Sequence, residues 1–288
     1  MSELKLTIVF DRIRGEEKWL VHEARKAGCT TELVDGRMLS FELTDGAAAN
    51  RFGDVVLQRC ISHYRSLFLT RIMENFGARV INTSQVAETC GNKLITSMVL
   101  AKAGVPTPKT FVALSSECVG QTAEQLGYPV VMKPFVGSWG RMISIARDAQ
   151  TLDAIVELRE SIPNPIEHMY YLQEFVERPP RDIRAIVAGD DLIATVYRNA
   201  PQNEWRTNVA RGATTTSFKA DKELTELVHR AASAVGGGIL GVDVMESKVH
   251  GYVVHEVNNT VEFKGAQAAS KTKIAKKMID FVVRSAKR

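Results

Sequence analysis

Two rhythms of apolar positions run along the chain. Positions 4–10 form a β-rich run that ends Thr7-Ile8-Val9-Phe10, and Leu20, Ala24 and Ala27 then recur at helical spacing over 19–27. Strand patterns return at 31–34, 54–58 and 79–81, with a helical stretch at 66–76 closed by Gly77. This alternation predicts a small α/β domain with a mostly parallel sheet.

Beyond it the rhythm changes. Leu94, Ile95, Met98, Val99 and Leu100 predict a buried helix over 92–103, ended by Gly104 and the extended Val105-Pro106-Thr107-Pro108. Short strands at 110–113, 130–133, 142–145, 170–176, 183–187, 192–197, 239–244 and 252–257 mix with helices at 152–159, 224–235 and 271–283. That mixture predicts α+β sheets, not a continued doubly wound fold.

A 288-residue chain that is 45% hydrophobic can bury a sizeable core. No apolar run approaches the roughly 20 residues a membrane helix needs, and the first residues lack a secretory core, so a cytoplasmic protein without membrane contact is expected. The four cysteines lie about thirty residues apart with no Cys-x-x-Cys pair, which disfavours zinc and disulfides. A net charge of +4 is too small to demand nucleic acid, and no aromatic-basic motif stands out.

Four local features carry candidate chemistry. In Val131-Met132-Lys133-Pro134-Phe135-Val136-Gly137-Ser138-Trp139-Gly140-Arg141 a strand delivers a lysine to a loop bracketed by glycines, which suits a phosphate cradle and an ordinary β-turn about equally. Leu240-Gly241-Val242-Asp243 and His255-Glu256-Val257-Asn258 place acidic residues in apolar strands. Period-2 alternation puts Glu256 and Asn258 on one face and His255 on the other, and strand pairing would add Asp243 as a hard oxygen donor for Mg²⁺; solvated strand residues are the alternative. Gln173-Glu174-Phe175-Val176 can serve an adenine edge or an edge strand. Arg198, Arg206, Asn208 and Arg211 offer fixed donors for an acyl phosphate or oxyanion, or a solvated loop.

Taken in order, Gly91-Asn92-Lys93, Val105-Pro106-Thr107-Pro108, Val131-Met132-Lys133-Pro134, Gln173 to Val176, Asp182-Ile183-Arg184, Trp205-Arg206-Thr207-Asn208, Gly241-Val242-Asp243 and Glu256-Val257-Asn258 resemble the ATP-grasp superfamily, in the branch of the ribosomal-protein glutamate ligases. The tail Asn258-Asn259-Thr260-Val261-Glu262-Phe263-Lys264 looks like the subgroup of LysX and ArgX, ligases of an amino acid to the carrier protein LysW. Asn259 to Glu262 stand where the ribosomal-protein ligases carry small residues and Pro-Gly.

The resemblance implies an ATP-grasp fold with an N-terminal Rossmann-like pre-ATP-grasp domain over 1–87, a central subdomain or lid over 88–170, and a C-terminal subdomain with the metal site over 171–288. It further implies ATP held by Lys93, Lys133, Gly137, Ser138, Trp139, Gly140, Gln173, Glu174, Phe175, Val176 and Asp182. Mg²⁺, as two ions, would sit on Asp243, Glu256 and Asn258. Arg198, Asn208 and Arg211 would be catalytic, and Arg198, Asn208, Asn259 and Thr260 would bind substrate. The implied reaction joins the α-amino group of 2-aminoadipate or glutamate to the C-terminal glutamate of an acidic LysW-type carrier through an acyl phosphate, in a homo-oligomer, tetramer or dimer. A glutamate ligase acting on another protein or a cofactor, and a nucleotide-binding module without turnover, are the competing readings.

Overall fold

The computed structural model describes residues 3–44, 51–137, 139–208 and 212–287. The chain opens with β1 (Lys5–Phe10), α1 (Gly15–Lys26), β2 (Thr30–Asp35), β3 (Val55–Gln58), α2 (His63–Asn75), β4 (Val80–Ile81) and α3 (Ser84–Gly91). Its four strands pair in parallel in the order β2-β1-β3-β4. Parallel strands bury both faces, and β1 shows why its run is so apolar: Leu6 and Ile8 enter one core while Val9 enters another.

Helix α4 (Lys93–Lys102) leads to a second sheet built from β5 (Thr110–Ala113), α5 (Val119–Leu126), β6 (Val130–Lys133), β7 (Ser144–Ala146), α6 (Ala149–Glu160) and β8 (Tyr170–Glu174), with antiparallel order β5-β8-β6-β7. One face packs Val130, Met132, Tyr170 and Leu172 against Val119, Ala123 and Leu152 of α5 and α6. Alternation turns Val131, Lys133 and Gln173 to the other face, toward the large cleft. The expected division at 170/171 therefore cuts at the wrong place: β8 hydrogen-bonds to β5 and β6 because Tyr170 and Leu172 complete this core, so the strand belongs to the central sheet.

A third sheet comprises β9 (Arg181–Ala188), β10 (Asp191–Asn199), β11 (Thr214–Ser217), β12 (Ile239–Ser247) and β13 (Gly251–Asn258) in the antiparallel order β11-β10-β9-β12-β13, with α7 (Lys222–Ala234) between β11 and β12 in sequence. Ile183, Ala185, Val187, Leu240, Val242 and Val244 face α7, whose Leu224, Leu227, Val228 and Ala231 fill that side. The opposite face changes character along its length. On β9 it reads Asp182, Arg184, Ile186, Ala188: charged toward the cleft, apolar where α9 (Ile274–Ala286) packs. Ile274, Met278, Ile279 and Val282 of α9 share one core with Leu6, Ile8 and Leu57 of the first sheet, which joins the N-terminal and C-terminal sheets into one packed body.

The sequence pattern misses α3, α5, β11 and a short helix α8 (Lys264–Ala269). Helix α5 shows the reason, since it buries only Val119 and Ala123 and carries Gly120 within, too little apolar periodicity to be recognised. Among the described residues no helix is long and apolar enough to cross a membrane.

Candidate active site

Residues of the second and third sheets, with the segments that follow β1 and β3 of the first, line a cleft of about 1520 Å³. This exceeds the roughly 300–1,000 Å³ of a single small-ligand pocket, so there is room for a nucleotide and a second substrate together.

The register of the third sheet builds the floor. Cross-strand neighbours place Arg198 beside Asp182, Arg184 beside Asp243, and Asp243 beside Glu256, while Asn258 stands beside Gly241. Arg198 donates through Nε and Nη2 to Asp182 at 2.8 and 2.7 Å, and Nη2 also lies 3.0 Å from Asp243 Oδ2. Thr207 donates its hydroxyl to Asp182 as well. Arg184 donates through Nε to Asp243 Oδ1 and through Nη2 to Oδ2 at 3.0 Å. Asp182 and Asp243 are 1% and 2% exposed. Burial alone would raise both carboxyl pKa values, but the paired guanidinium groups outweigh it and hold both well below the usual range. Burial likewise opposes the charge on Arg198, and the two aspartates overcome it and raise its pKa.

Two lysines reach in from the other side. Lys93, at the start of α4, has Asn92 as its N-cap, whose side chain accepts from Leu94 and Ile95 N–H. Its Nζ donates to the Gly137 carbonyl at 2.8 Å and lies 3.7 Å from Glu256 Oε1. Lys133, at the end of β6, donates to Gln173 Oε1 at 2.6 Å, and Gln173 is in turn held by Thr110 and Tyr171. Burial pulls the Lys133 pKa down to about 8, with Glu256 opposing that shift and Lys93 and Arg178 adding to it. Both lysines thus meet Asp243, Glu256 and Asn258 around one cleft.

The remaining expected nucleotide residues divide. Gly137, Trp139, Gly140, Phe175 and Val176 line the cleft, with Trp139 and Gly140 at φ of 60° and 67°, the left-handed backbone a tight loop over a ligand uses. Glu174 also borders the cleft, but its carboxylate accepts from the Lys109 N–H at 2.7 Å, so it braces the connector before β5. Gln173 and Asp182 likewise spend their polar atoms on Lys133 and Arg198. At the acceptor end, the Asn259 carbonyl accepts from Asn82 at 2.8 Å, Thr260 donates to the Cys60 carbonyl at 3.5 Å, and Asn208 lines the same space. Ser138 and Arg211 lie outside the described residues.

His255 corrects the alternation argument. The pairing slips between Asp243↔Glu256 and Val244↔Val254, a bulge that leaves His255 as the extra residue. Val254 and Val257 consequently both enter the α7 core, three positions apart, and His255 joins Glu256 and Asn258 on the cleft side. Its Nε2 is buried 3.6 Å from Asp182 Oδ2 with no hydrogen-bond partner among the described residues, and burial lowers its pKa.

Arg184, Arg178 and Arg14 are cleft residues that sequence reasoning did not assign. The signal for Arg184 was present, because it stands two positions from Asp182 and must share its face of β9. Arg178, which donates to the Arg181 and Trp205 carbonyls and so pins the loop before Thr207, and Arg14, whose ion pair with Glu262 spans 248 positions, had no local pattern to betray them.

Asp243, Glu256 and Asn258 fit a magnesium ion in donor type, as hard oxygen ligands, too few to fill an octahedron without phosphate and water. Asn258 donates its amide nitrogen to Asp243 at 3.2 Å, which leaves its carbonyl oxygen for another partner. Among the described residues no three His, Cys, Asp or Glu side chains cluster as a metal site, so the amide of Asn258 is needed to make the set.

The chain is similar to known proteins along nearly its whole length. Residues 90–282 match the RimK-like ATP-grasp domain, and residues 6–89 match the LysX preATP-grasp domain. The chain is 34% identical over 279 residues to the glutamate–LysW ligase ArgX of Sulfurisphaera tokodaii, covering 97% of this chain and 98% of that one. It is 38% identical over 275 residues to the alpha-aminoadipate–LysW ligase LysX of the same organism, covering 95% and 96%. In fold it is similar to a RimK domain protein from Sphaerobacter thermophilus, with a TM-score of 0.81 at 24% identity, covering 97% of this chain and 99% of that one.

Proposed function

Because the chain belongs to the RimK-like ATP-grasp family, we propose that the cleft is the site of an ATP-dependent ligase that attaches 2-aminoadipate or glutamate to the C-terminal glutamate of a LysW-type carrier. The observation that supports this most is the convergence of Lys93 and Lys133 on the Asp243, Glu256 and Asn258 trio, with Lys93 Nζ 3.7 Å from Glu256. Two cations facing a carboxylate-amide set is what a metal-bound triphosphate requires.

In this reading Lys93 and Lys133 offset the charge of the phosphates as the γ-phosphoryl group passes to the carrier carboxylate. Gln173 fixes the Lys133 ammonium so that it faces the cleft. Gly137 to Gly140 lie along the phosphates with backbone groups. Bound Mg²⁺, on Asp243, Glu256 and Asn258, would supply charge neutralisation for the transferring group. The amine then attacks the acyl phosphate carbonyl, and Arg198, held rigid by Asp182, with Asn208 and Arg211, donates to the oxyanion as phosphate leaves. Asn259 and Thr260 border the amine, their backbone and hydroxyl tied to Asn82 and Cys60 of the N-terminal part.

The test is release of ADP with a purified LysW-type carrier and each amino acid in turn, followed by the mass of the carrier. A mass increase of one aminoadipyl or glutamyl residue is expected; no increase and no ADP release with either would overturn the reading. Two ions per site and a dimer or tetramer belong to the same proposal, checked by metal stoichiometry and sedimentation.

A further inference from the structure

Arg184 has no part in that reading, yet it holds the carboxylate at its centre. Asp243 has no spare oxygen: Oδ1 accepts from Arg184 Nε, and Oδ2 accepts from Arg184 Nη2 at 3.0 Å and Asn258 Nδ2 at 3.2 Å, with Arg198 Nη2 also 3.0 Å away. The two arginines differ in how they are anchored. Arg198 makes two further bonds to Asp182, so it stays in place whatever Asp243 does. Among the described residues, Arg184 has Asp243 alone as a hydrogen-bond or ion-pair partner.

Gly241 gives Arg184 its position. A Cβ at Gly241 would sit 3.2 Å from Arg184 Cδ and 3.3 Å from Nη1, so the glycine lets the side chain lie close across β12 onto Asp243. A buried carboxylate without a counter-charge is costly, and Arg184 supplies that charge. A divalent cation arriving alone would have to displace Arg184 beside Arg198, Lys93 and Lys133, leaving the freed guanidinium unpaired. A triphosphate arriving with the cation changes this, because its oxygens accept bidentate bonds from a guanidinium.

We propose that Arg184 is a placeholder for the metal ion, occupying Asp243 until nucleotide phosphates draw it away, so that the site takes a divalent cation only together with nucleotide. The inference rests on the assignment of Asp243 to the metal in the proposed function. It makes Arg184 a positioning residue that prevents occupation of the empty site by cations.

Mn²⁺ retained with the full chain in equilibrium dialysis, with and without a freely diffusing non-hydrolysable ATP analogue, tests it. The wild-type protein should bind Mn²⁺ only with the analogue present. Arg184→Met should bind Mn²⁺ alone at least about tenfold more tightly than wild type, the scale of one lost ion-pair competitor. Arg184→Lys, which keeps a positive charge but cannot hold both oxygens of Asp243 at once, should shift Mn²⁺ affinity in the same direction by a smaller factor, so the idea stays testable if Arg184→Met does not fold. Wild-type binding of Mn²⁺ without nucleotide, as tight as with it, overturns the placeholder role and leaves the ligase reading intact. Absence of Mn²⁺ binding to wild type even with the analogue overturns the metal assignment and the inference with it.

Discussion

The floor and the roof of the cleft are built on different principles. The floor, on β9, β10, β12 and β13, is a buried lattice in which Asp182, Arg184, Arg198 and Asp243 satisfy one another across strands. The roof, described at Gly137 and at Trp139 to Arg141, has left-handed backbone at Trp139 and Gly140, and its contacts include Lys93 Nζ to the Gly137 carbonyl at 2.8 Å, Trp139 Nε1 to Glu262 at 3.4 Å and Arg206 Nη1 to the Gly140 carbonyl at 3.4 Å. A fixed floor suits charges whose placement decides chemistry, since buried ion pairs tolerate little displacement. The roof is held instead through its backbone carbonyls, by Lys93 and Arg206 from elsewhere in the chain.

The sharpest way to break this contrast is Asp243→Ala. It removes the shared partner of two arginines and should lower unfolding free energy by about 3 kcal/mol or more as well as abolish ADP release. Urea unfolding checks the first effect, and an unchanged midpoint would show that the floor is not a stability element.

Lys133→Met sits between floor and roof and should separate binding from stability. The lysine is buried and its pKa is depressed, so its loss should not reduce stability, whereas ATP affinity should fall about 10- to 100-fold for one lost charge-assisted contact. Calorimetric Kd values alongside melting curves decide this.

The same lysine makes ATP binding depend on pH. Burial brings its pKa to about 8, so it loses its proton as pH rises through that value, while phosphates favour the protonated form. ATP affinity should therefore decline between about pH 7 and about pH 9, and binding in that window should take up protons. Calorimetry in two buffers of different ionisation enthalpy measures the uptake; proton release instead would reverse the assignment.

The smallest effect belongs to the roof. Trp139→Gly relieves a left-handed backbone and loses a long contact to a half-exposed glutamate and the Arg141 guanidinium 5.1 Å over its ring, so stability should change by less than about 1 kcal/mol. ATP affinity should move by less than about fivefold, and a change as large as that of Lys133→Met would mean that the loop is as fixed as the floor.

Much of the site was legible because its residues follow strand period. Asp243, Glu256, Asn258, Lys133 and Gln173 stand at positions where an apolar strand is interrupted, and alternation put Glu256 and Asn258 on one face, the cleft face, but His255 on the wrong one. The bulge at His255 was invisible because one extra residue in β13 has no compositional mark; only the pairing with β12 reveals it. Glu174 and Asp182 were legible as polar residues near the cleft but not as residues already engaged, because their partners, Lys109 and Arg198, are remote in sequence. The place of β8 in the central sheet was missed for a similar reason, since a strand's partner depends on which core its apolar face completes.

The sequence by itself determined the element types, the parallel first sheet and the identity of the charged residues, because these depend on local periodicity and on side-chain chemistry. Tertiary structure alone decided which charge answers which: Arg184 against Asp243, Arg198 against both aspartates, Lys93 against Glu256. Such pairings come from strand register and from packing between segments far apart in the chain, and electrostatic energy depends on the distances they set.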